Sequence, residues 1–178
     1  MKLIETAIAG PIIIEPRVFG DARGFFMETW NAAAFREVGL DLTFVQDNHS
    51  RSQRGVLRGL HFQNPGPQGK LVRVTRGAVY DVAVDLRGSS PTFGQWVGVE
   101  LSAANQRMFW VPEGFAHGFV TLEDDTDFLY KCTAPYAPQT EFTLAWDDPS
   151  VGIDWPLDGI TPLISEKDAR GLALADVP

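Results

Sequence analysis

The stretch at residues 46–63, QDNHSRSQRGVLRGLHFQ, combines the polarity of a loop with the alternation of β-strands. Gln46 and Asn48 are two residues apart, so their side chains share one face of a strand. A polar face is costly to bury unless a ligand or partner satisfies it. The stretch therefore predicts strands that form the wall of a binding site.

Short β-rich runs recur along the chain, separated by turn clusters such as residues 64–67 and 87–91. This punctuation is typical of an all-β sandwich, jelly roll or barrel. The apolar run at residues 7–14 is too short to span a bilayer and is expected to be a strand. β-Rich runs are also predicted at residues 12–14, 25–29, 43–48, 56–62, 70–75, 78–86, 95–101, 108–111, 118–122, 127–132 and 140–146.

Two short helices are predicted. Asn31 can cap a helix over residues 32–38 that stops at Gly39, and Ser165 can cap a second one that begins near Glu166. No repeat, low-complexity tract or linker interrupts the chain. One domain over residues 1–178 is therefore expected.

Composition restricts the function classes. The 178 residues are 44% hydrophobic and include 12 Phe and 5 Trp, enough for a sizeable core. The net charge of -8 argues against nucleic-acid binding, which requires a basic face, and no membrane attachment is expected. Cys132 is the only cysteine, so no intramolecular disulfide can form, which fits a cytoplasmic protein.

Arg58 and His61 are the first candidates for chemistry, as a fixed positive charge and a proton-exchanging side chain. Simple alternation puts them on opposite strand faces, and a β-bulge at Gly59 would bring both inward. Taken alone, His61 is as readily a core histidine, and Arg58 or Lys70 a solvated charge. Lys70 and His117 add a second cation and a second imidazole. Together these groups suit a substrate that carries a diphosphate.

A metal site is disfavoured by the spacing of the histidines. The chain has only His49, His61 and His117, with no His-x-His pair on a strand. Metal-binding jelly rolls usually need clustered ligands of that kind. We therefore expect no metal and, without a glycine-rich dinucleotide loop, no redox cofactor.

Tyr130 and Asp168 each have two interpretations. Tyr130 lies in an apolar run and is by itself a packing residue, yet in a polar pocket it can donate a proton, with a pKa lowered by nearby cations. Asp168, near the start of the second predicted helix, either favours the helix dipole or orients His61.

Six motifs give the chain a close resemblance to dTDP-4-dehydrorhamnose 3,5-epimerases, metal-free members of the cupin superfamily. They span almost the whole sequence, at residues 21–28 (DxRGFFxE), 46–63, 111–119 (VPEGFAHGF), 130–133 (YKCT), 146–149 (WDDP) and 165–168 (SxKD). The resemblance implies an all-β, cupin-type jelly roll (double-stranded β-helix) with a few short helices. It also implies an isomerase that needs no cofactor and converts dTDP-4-dehydro-6-deoxy-D-glucose to dTDP-4-dehydro-L-rhamnose in dTDP-L-rhamnose biosynthesis.

The resemblance implies residue roles as well. His61 would be the base, assisted by Asp168. Tyr130 would be the acid on the opposite side of the sugar ring, and Lys70 would stabilise the enolate oxygen. The side chains implied to contact the dTDP-linked substrate are Arg23, Glu28, Gln46, Asn48, Arg58, Lys70, His117, Glu141 and Lys167, with Tyr136 stacking against it.

A homodimer that exchanges N-terminal strands is also implied, so Arg23 and Glu28 would serve the neighbouring subunit's site. The chain departs from the family pattern after Glu141. Phe142 and Thr143 stand where a polar or basic residue and a glycine are usual.

Three other functions compete with double epimerisation. An epimerase of the same fold can invert a single carbon of a related dTDP-4-keto-deoxysugar, and Tyr130 argues against this because inversion at carbon 5 needs an acid on the opposite face. A catalytically silent sugar-nucleotide binder would not need His61, Tyr130 and Asp168 together. A metal-dependent cupin oxygenase would need the clustered ligands that the sequence lacks.

Overall fold

The computed structural model describes residues 1–178 as thirteen β-strands, one α-helix and two short 3-10 turns. The strands are β1 (Lys2–Glu5), β2 (Ile12–Glu15), β3 (Val18–Asp21), β4 (Gly24–Met27), β5 (Gln46–Ser52), β6 (Leu57–Gln63), β7 (Lys70–Arg76), β8 (Ala78–Asp85), β9 (Trp96–Ser102), β10 (Met108–Val111), β11 (Phe115–Thr121), β12 (Thr126–Cys132) and β13 (Glu141–Thr143). The helix α1 is Ala32–Glu37, and the 3-10 turns are Asp168–Arg170 and Leu174–Asp176. None of the helices is long and apolar enough to cross a bilayer.

The strands form two antiparallel sheets and a separate hairpin. One sheet has the order β1-β2-β10-β7-β12-β5, the other has the order β13-β6-β11-β8-β9, and β3 pairs only with β4. A core of Val and Phe side chains from both sheets fills the space between them, including Val72 and Phe128 from one sheet and Val79 and Phe119 from the other. Each such side chain stabilises the fold by about 1.5–3 kcal/mol when buried. The predicted all-β jelly roll is confirmed.

Two outer layers cover the backs of the sheets. Phe35 of α1 is buried against Ile14, Met108 and Trp110 behind the six-stranded sheet. The C-terminal segment does the same behind the five-stranded sheet, where Trp155 joins a second buried cluster. Apolar packing therefore covers part of the outer face of each sheet. This packing supports the strands whose polar side chains point between the two sheets.

The first predicted helix is confirmed, and the second is confirmed only as a single 3-10 turn whose start Ser165 caps. The Asn31 side chain accepts hydrogen bonds from the backbone N–H groups of Ala33 and Ala34. The second segment forms only the 3-10 turn Asp168–Arg170, with the Ser165 hydroxyl accepting from the Asp168 N–H at 3.1 Å. The Asp168 carboxylate is buried in contacts outside the turn, and those contacts override helix propensity.

The prediction of one strand over residues 7–14 is wrong for residues 7–11, whereas the run predicted at residues 12–14 is confirmed as part of β2. The Thr6 hydroxyl donates to the carbonyls of Ile8 and Pro11, which folds residues 7–10 into a bend with Ile8 buried. The strands β1 and β3 were not predicted, since their short runs lack clear alternation.

The irregularity predicted at Gly59 is confirmed. His61 pairs with His117 and Arg58 with Phe119, so β6 carries one residue more than β11 between the two pairs. Gly59 has φ +122°, and a Cβ there would lie 2.6 Å from the Gly118 Cα. This extra residue lets Arg58 and His61 line the same cavity.

We expect Gly59→Ala to lower the free energy of unfolding by about 2 kcal/mol or more, because the methyl group meets backbone atoms and the left-handed φ is strained. Urea unfolding measures the loss. Gly88→Ala is the control, since Gly88 has no left-handed φ and no heavy atom within 4 Å of the added Cβ. Equal stability of the two variants would contradict the close backbone contact and the left-handed conformation at Gly59.

Candidate active site

His61 and Asp168 form a hydrogen-bonded pair. His61 projects from β6, and one of its ring nitrogens lies 2.6 Å from the Asp168 carboxylate, which is 4% exposed. Burial alone would raise the pKa of Asp168, but the hydrogen bond from His61, its charge and the Gly59 N–H together hold that pKa below its ordinary value. An ionised carboxylate therefore orients the imidazole and leaves its other nitrogen for a ligand.

Tyr130 faces the same cavity from the other sheet. It lies on β12, in register with Asn48 on β5. Burial raises the pKa of Tyr130, Cys132 and Glu141 add to this, and Arg58 opposes it. The expectation that cations would lower this pKa is wrong, because burial outweighs the single opposing charge. The phenol is therefore protonated at neutral pH, as a proton donor must be.

The polar strand β5 lines the interior as its alternation predicts. Gln46 and Asn48 share the inner face with Ser50 and Ser52, while the residues between them are exposed. The Ser52 hydroxyl accepts two hydrogen bonds from the Arg58 guanidinium, at 3.2 and 3.1 Å. Ser52 thus orients Arg58. The sequence did not single it out, although the spacing from Gln46 contains the signal.

Lys70 is buried rather than solvated. Its side chain is in register with Cys132 on β12, and its ammonium donates to the His61 carbonyl at 3.4 Å. Burial lowers the pKa of Lys70, while Cys132, Glu141 and Asp81 act in the opposite direction. The Lys70 amine is thus held beside the His61–Asp168 pair by its bond to the His61 carbonyl.

A second histidine–aspartate pair lies deeper in the cavity. The His117 ring contacts both carboxylate oxygens of Asp81, at 2.9 and 3.1 Å. Burial raises the pKa of Asp81 and lowers that of His117. Asp81 was missed from the sequence, and its signal was a carboxylate in the middle of an otherwise largely apolar strand.

Tyr136, Glu141 and Lys167 meet at the mouth of the cavity. The Tyr136 hydroxyl donates to Glu141 at 2.8 Å, and the Lys167 ammonium contacts the same carboxylate oxygen. Burial opposes ionisation of Glu141, yet these two contacts and the charge of His61 lower its pKa overall. Phe142 points to the other strand face and stacks on Phe62, so the departure from the family pattern leaves Glu141 in the cavity.

The predicted side chains converge in two adjoining cavities. The larger one has a volume of about 400 Å³ and the smaller one about 240 Å³. Both are lined by Gln46, His61, Lys70, Tyr130, Tyr136 and Glu141. The larger one is also lined by Asn48, Arg58 and His117. Asp168 and Lys167 contact this lining through His61 and Glu141, respectively.

Arg23 and Glu28 lie apart from this site. The Arg23 side chain is 90% exposed and pairs with Asp21, while Glu28 accepts a hydrogen bond from Asn31. Neither residue lines the cavity of its own chain. No three His, Cys, Asp or Glu side chains are grouped so that they could hold a metal ion.

Comparison with known proteins identifies the family. Residues 5–176 match the family model described as dTDP-4-dehydrorhamnose 3,5-epimerase. The chain belongs to this epimerase family. A Pseudomonas aeruginosa relative named dTDP-4-dehydrorhamnose 3,5-epimerase is 60% identical, over 99% of this chain and 97% of its own.

Solved structures of epimerases share the fold. The dTDP-6-deoxy-D-glucose-3,5-epimerase from Legionella pneumophila, in complex with dTDP-4-keto-L-rhamnose, has a TM-score of 0.96 and 53% identity, over 99% of this chain and 94% of its own. A double mutant of ChmJ, a 3'-monoepimerase from Streptomyces bikiniensis, in complex with dTDP, has a TM-score of 0.90 and 36% identity. The match covers 96% of this chain and 86% of the ChmJ chain. The expected cupin-type fold is confirmed, and epimerases of both kinds adopt it.

Proposed function

We propose that the protein epimerises dTDP-4-dehydro-6-deoxy-D-glucose at carbons 3 and 5, giving dTDP-4-dehydro-L-rhamnose for dTDP-L-rhamnose biosynthesis. Family membership and the relatives' shared name support this reaction. The observation that carries the proposal is that His61 and Tyr130 face one cavity from opposite sheets. A base and an acid so arranged can take a proton from one face of a sugar ring and return one to the other.

The mechanism uses the ketone at carbon 4, which acidifies the hydrogens on carbons 3 and 5. His61 takes a proton, the electrons of the broken C–H bond form an enolate, and Asp168 stabilises the imidazolium. Lys70 stabilises the enolate oxygen. Reprotonation of the opposite face, by Tyr130 at carbon 5, inverts the centre, after which the imidazolium and phenolate exchange protons with solvent. The electrons return to the carbon they left, so this chemistry requires neither a redox cofactor nor a metal.

The rest of the cavity is assigned to binding the nucleotide sugar. Because the chain carries a net charge of -8, the diphosphate needs local cations, and Arg58 and Lys167 are our candidates. His117, whose pKa is lowered by burial, is our candidate for a neutral hydrogen-bonding partner of the ligand. Gln46 and Asn48 offer amides to the sugar. Glu141 is assigned to the same ligand as a further polar contact, and the Tyr136 ring is assigned to stack against it.

A single-carbon epimerase is the second candidate, favoured by the likeness to ChmJ. ChmJ's double mutant replaces a histidine and a tyrosine, so Tyr130 alone does not separate the two activities. Higher identity to the 3,5-epimerase relatives, at 60% against 36%, favours double inversion.

Proton NMR of dTDP-4-keto-6-deoxyglucose incubated with the protein in deuterated water tests the proposal. We expect deuterium and inverted configuration at both carbons. Deuterium at carbon 3 alone would indicate a monoepimerase. Absence of exchange at both carbons would contradict epimerisation and indicate a silent binder.

We further propose a homodimer in which the β3–β4 hairpin of each chain completes the site of the other. Phe25 and Phe26 on this hairpin are 61% and 69% exposed, an apolar surface that a second copy would cover. Arg23 and Glu28 lie on or beside the same hairpin and outside their own chain's cavity.

We also propose that residues 1–178 act as one catalytic domain in the cytoplasm, where the Cys132 thiol stays reduced.

Mixing inactive Arg23→Ala and His61→Ala subunits should restore activity if sites are shared. A hybrid dimer then contains one site with both defects and one with neither, so statistical mixing of equal amounts should recover roughly a quarter of wild-type activity. Turnover of refolded mixtures measures the recovery. Mixtures as inactive as each parent, with hybrid dimers demonstrated by mass spectrometry, would assign Arg23 to its own subunit's site.

A further inference from the structure

Residues 134–137 carry Tyr136 and have no regular secondary structure, yet four of their backbone groups are bound by glutamine side chains. The bonds run from Gln68 to the Ala134 carbonyl at 2.8 Å, from Gln63 to the Pro135 carbonyl at 3.4 Å, from the Tyr136 N–H to Gln46 at 2.7 Å and from the Ala137 N–H to Gln63 at 2.9 Å. We call Gln46, Gln63 and Gln68 the glutamine clamp.

Gln63 is the centre of this clamp. It is 5% exposed, and its amide NH₂ also donates to the Gly66 carbonyl at 2.8 Å. Both ends of the side chain are therefore engaged by backbone from two different loops. A buried amide of this kind is costly unless its bonds are made, so its contacts fix the geometry of residues 134–137.

The clamp fixes the position of a half-exposed aromatic ring. Tyr136 is 51% exposed at the cavity mouth, and its hydroxyl is bound by Glu141. Pro135 and Pro138 beside it lack N–H groups, so the segment has few donors with which to join a neighbouring strand. Side-chain amides supply the bonds that a strand would otherwise supply.

We propose that Gln63 is a positioning residue for nucleotide recognition, which acts by fixing Tyr136 as a preformed stacking platform for the nucleobase. The proposal rests on the proposed function in taking a dTDP-linked sugar as the ligand. An ordered platform binds more tightly because the loop does not lose conformational freedom when the ligand arrives. The clamp side chains bond to Asn48 and to loop backbone rather than to His61, Tyr130 or Asp168, so the clamp acts on affinity rather than on proton transfer.

The test compares binding and turnover in single and double variants. Gln63→Ala should raise the Kd for dTDP and the KM about tenfold and keep kcat within about threefold of wild type. In a Tyr136→Ala background the same change should alter the Kd less than about twofold, because the platform is already absent. Gln53→Ala is the control, since Gln53 contacts exposed Asp125 instead of this loop, and it should leave both constants unchanged.

Equal tenfold losses with and without Tyr136, or a fall in kcat at constant KM, would overturn the proposal. If Gln63→Ala fails to fold, Gln68→Ala removes one clamp bond from a less buried side chain. That variant should raise the dTDP Kd about threefold only when Tyr136 is present, and an unchanged Kd would overturn the proposal. Wild-type protein that binds dTDP without epimerising would contradict the proposed function alone, whereas failure to bind dTDP would overturn both.

Discussion

Replacing His61 with alanine or asparagine will lower kcat by at least about 100-fold, because we assign the role of base to His61, which Asp168 orients. The amide side chain introduced by His61→Asn keeps the site polar but cannot accept the proton. The Kd for dTDP should stay within about threefold of wild type, since the His61–Asp168 pair is assigned to the sugar rather than to the nucleotide. Deuterium exchange into substrate and calorimetric titration with dTDP measure the two quantities.

The control for this experiment is His49→Asn. His49 lies on β5 at the edge of the same cavity, with an exposed side chain that pairs with Asp127, and we assign it no role in the reaction. This variant should turn over substrate at the wild-type rate. A His61 variant that retains activity within tenfold of wild type would remove His61 from the mechanism.

Tyr130→Phe will lower the rate of inversion at carbon 5 by about 100-fold or redirect its stereochemistry, while proton exchange at carbon 3 continues. The physical reason is that enolate formation needs only His61, whereas inversion needs a donor on the other face. Burial raises the pKa of Tyr130 above its ordinary value. The wild-type phenol is therefore protonated at neutral pH, and it loses its role as a proton donor only in alkaline solution. NMR should show deuterium entering carbon 3 faster than L-configured product accumulates.

Tyr136→Phe is the matched control for loss of a hydroxyl. The aromatic ring remains available for stacking, so carbons 3 and 5 should be affected alike and mildly. If Tyr130→Phe slows exchange at both carbons by the same factor, Tyr130 is structural and the acid lies elsewhere.

Much of the fold could be predicted because strand alternation is local. The inward Gln46 and Asn48 and the capped helix at Asn31 follow from spacing alone, and both are observed. The bend at residues 7–10 could not be predicted, since it depends on the Thr6 hydroxyl finding two carbonyls. β5 extends to Ser52, beyond the predicted end, because its polar residues are stabilised by pairing with β12.

The site was predicted largely through family motifs, and the structure adds how its parts meet. Alternation alone could not decide whether Arg58 and His61 share a face, because the answer depends on the register shift at Gly59. Asp81 and Ser52 were missed since each binds a functional side chain on a different strand. Such partners can be identified only once the sheet order is known.

The proposed mechanism requires that the sugar ring lie between His61 and Tyr130, with one side chain on each face. A crystal structure of the His61→Asn variant with dTDP-4-keto-6-deoxyglucose tests this most directly, because the inert variant holds unreacted substrate. We expect the substituted side chain at position 61 beside one face of the ring, the Tyr130 hydroxyl within about 3.5 Å of carbon 5 on the other, and Lys70 near the carbon 4 oxygen. A ring with both side chains on the same face, or lying outside the cavity, would contradict the account.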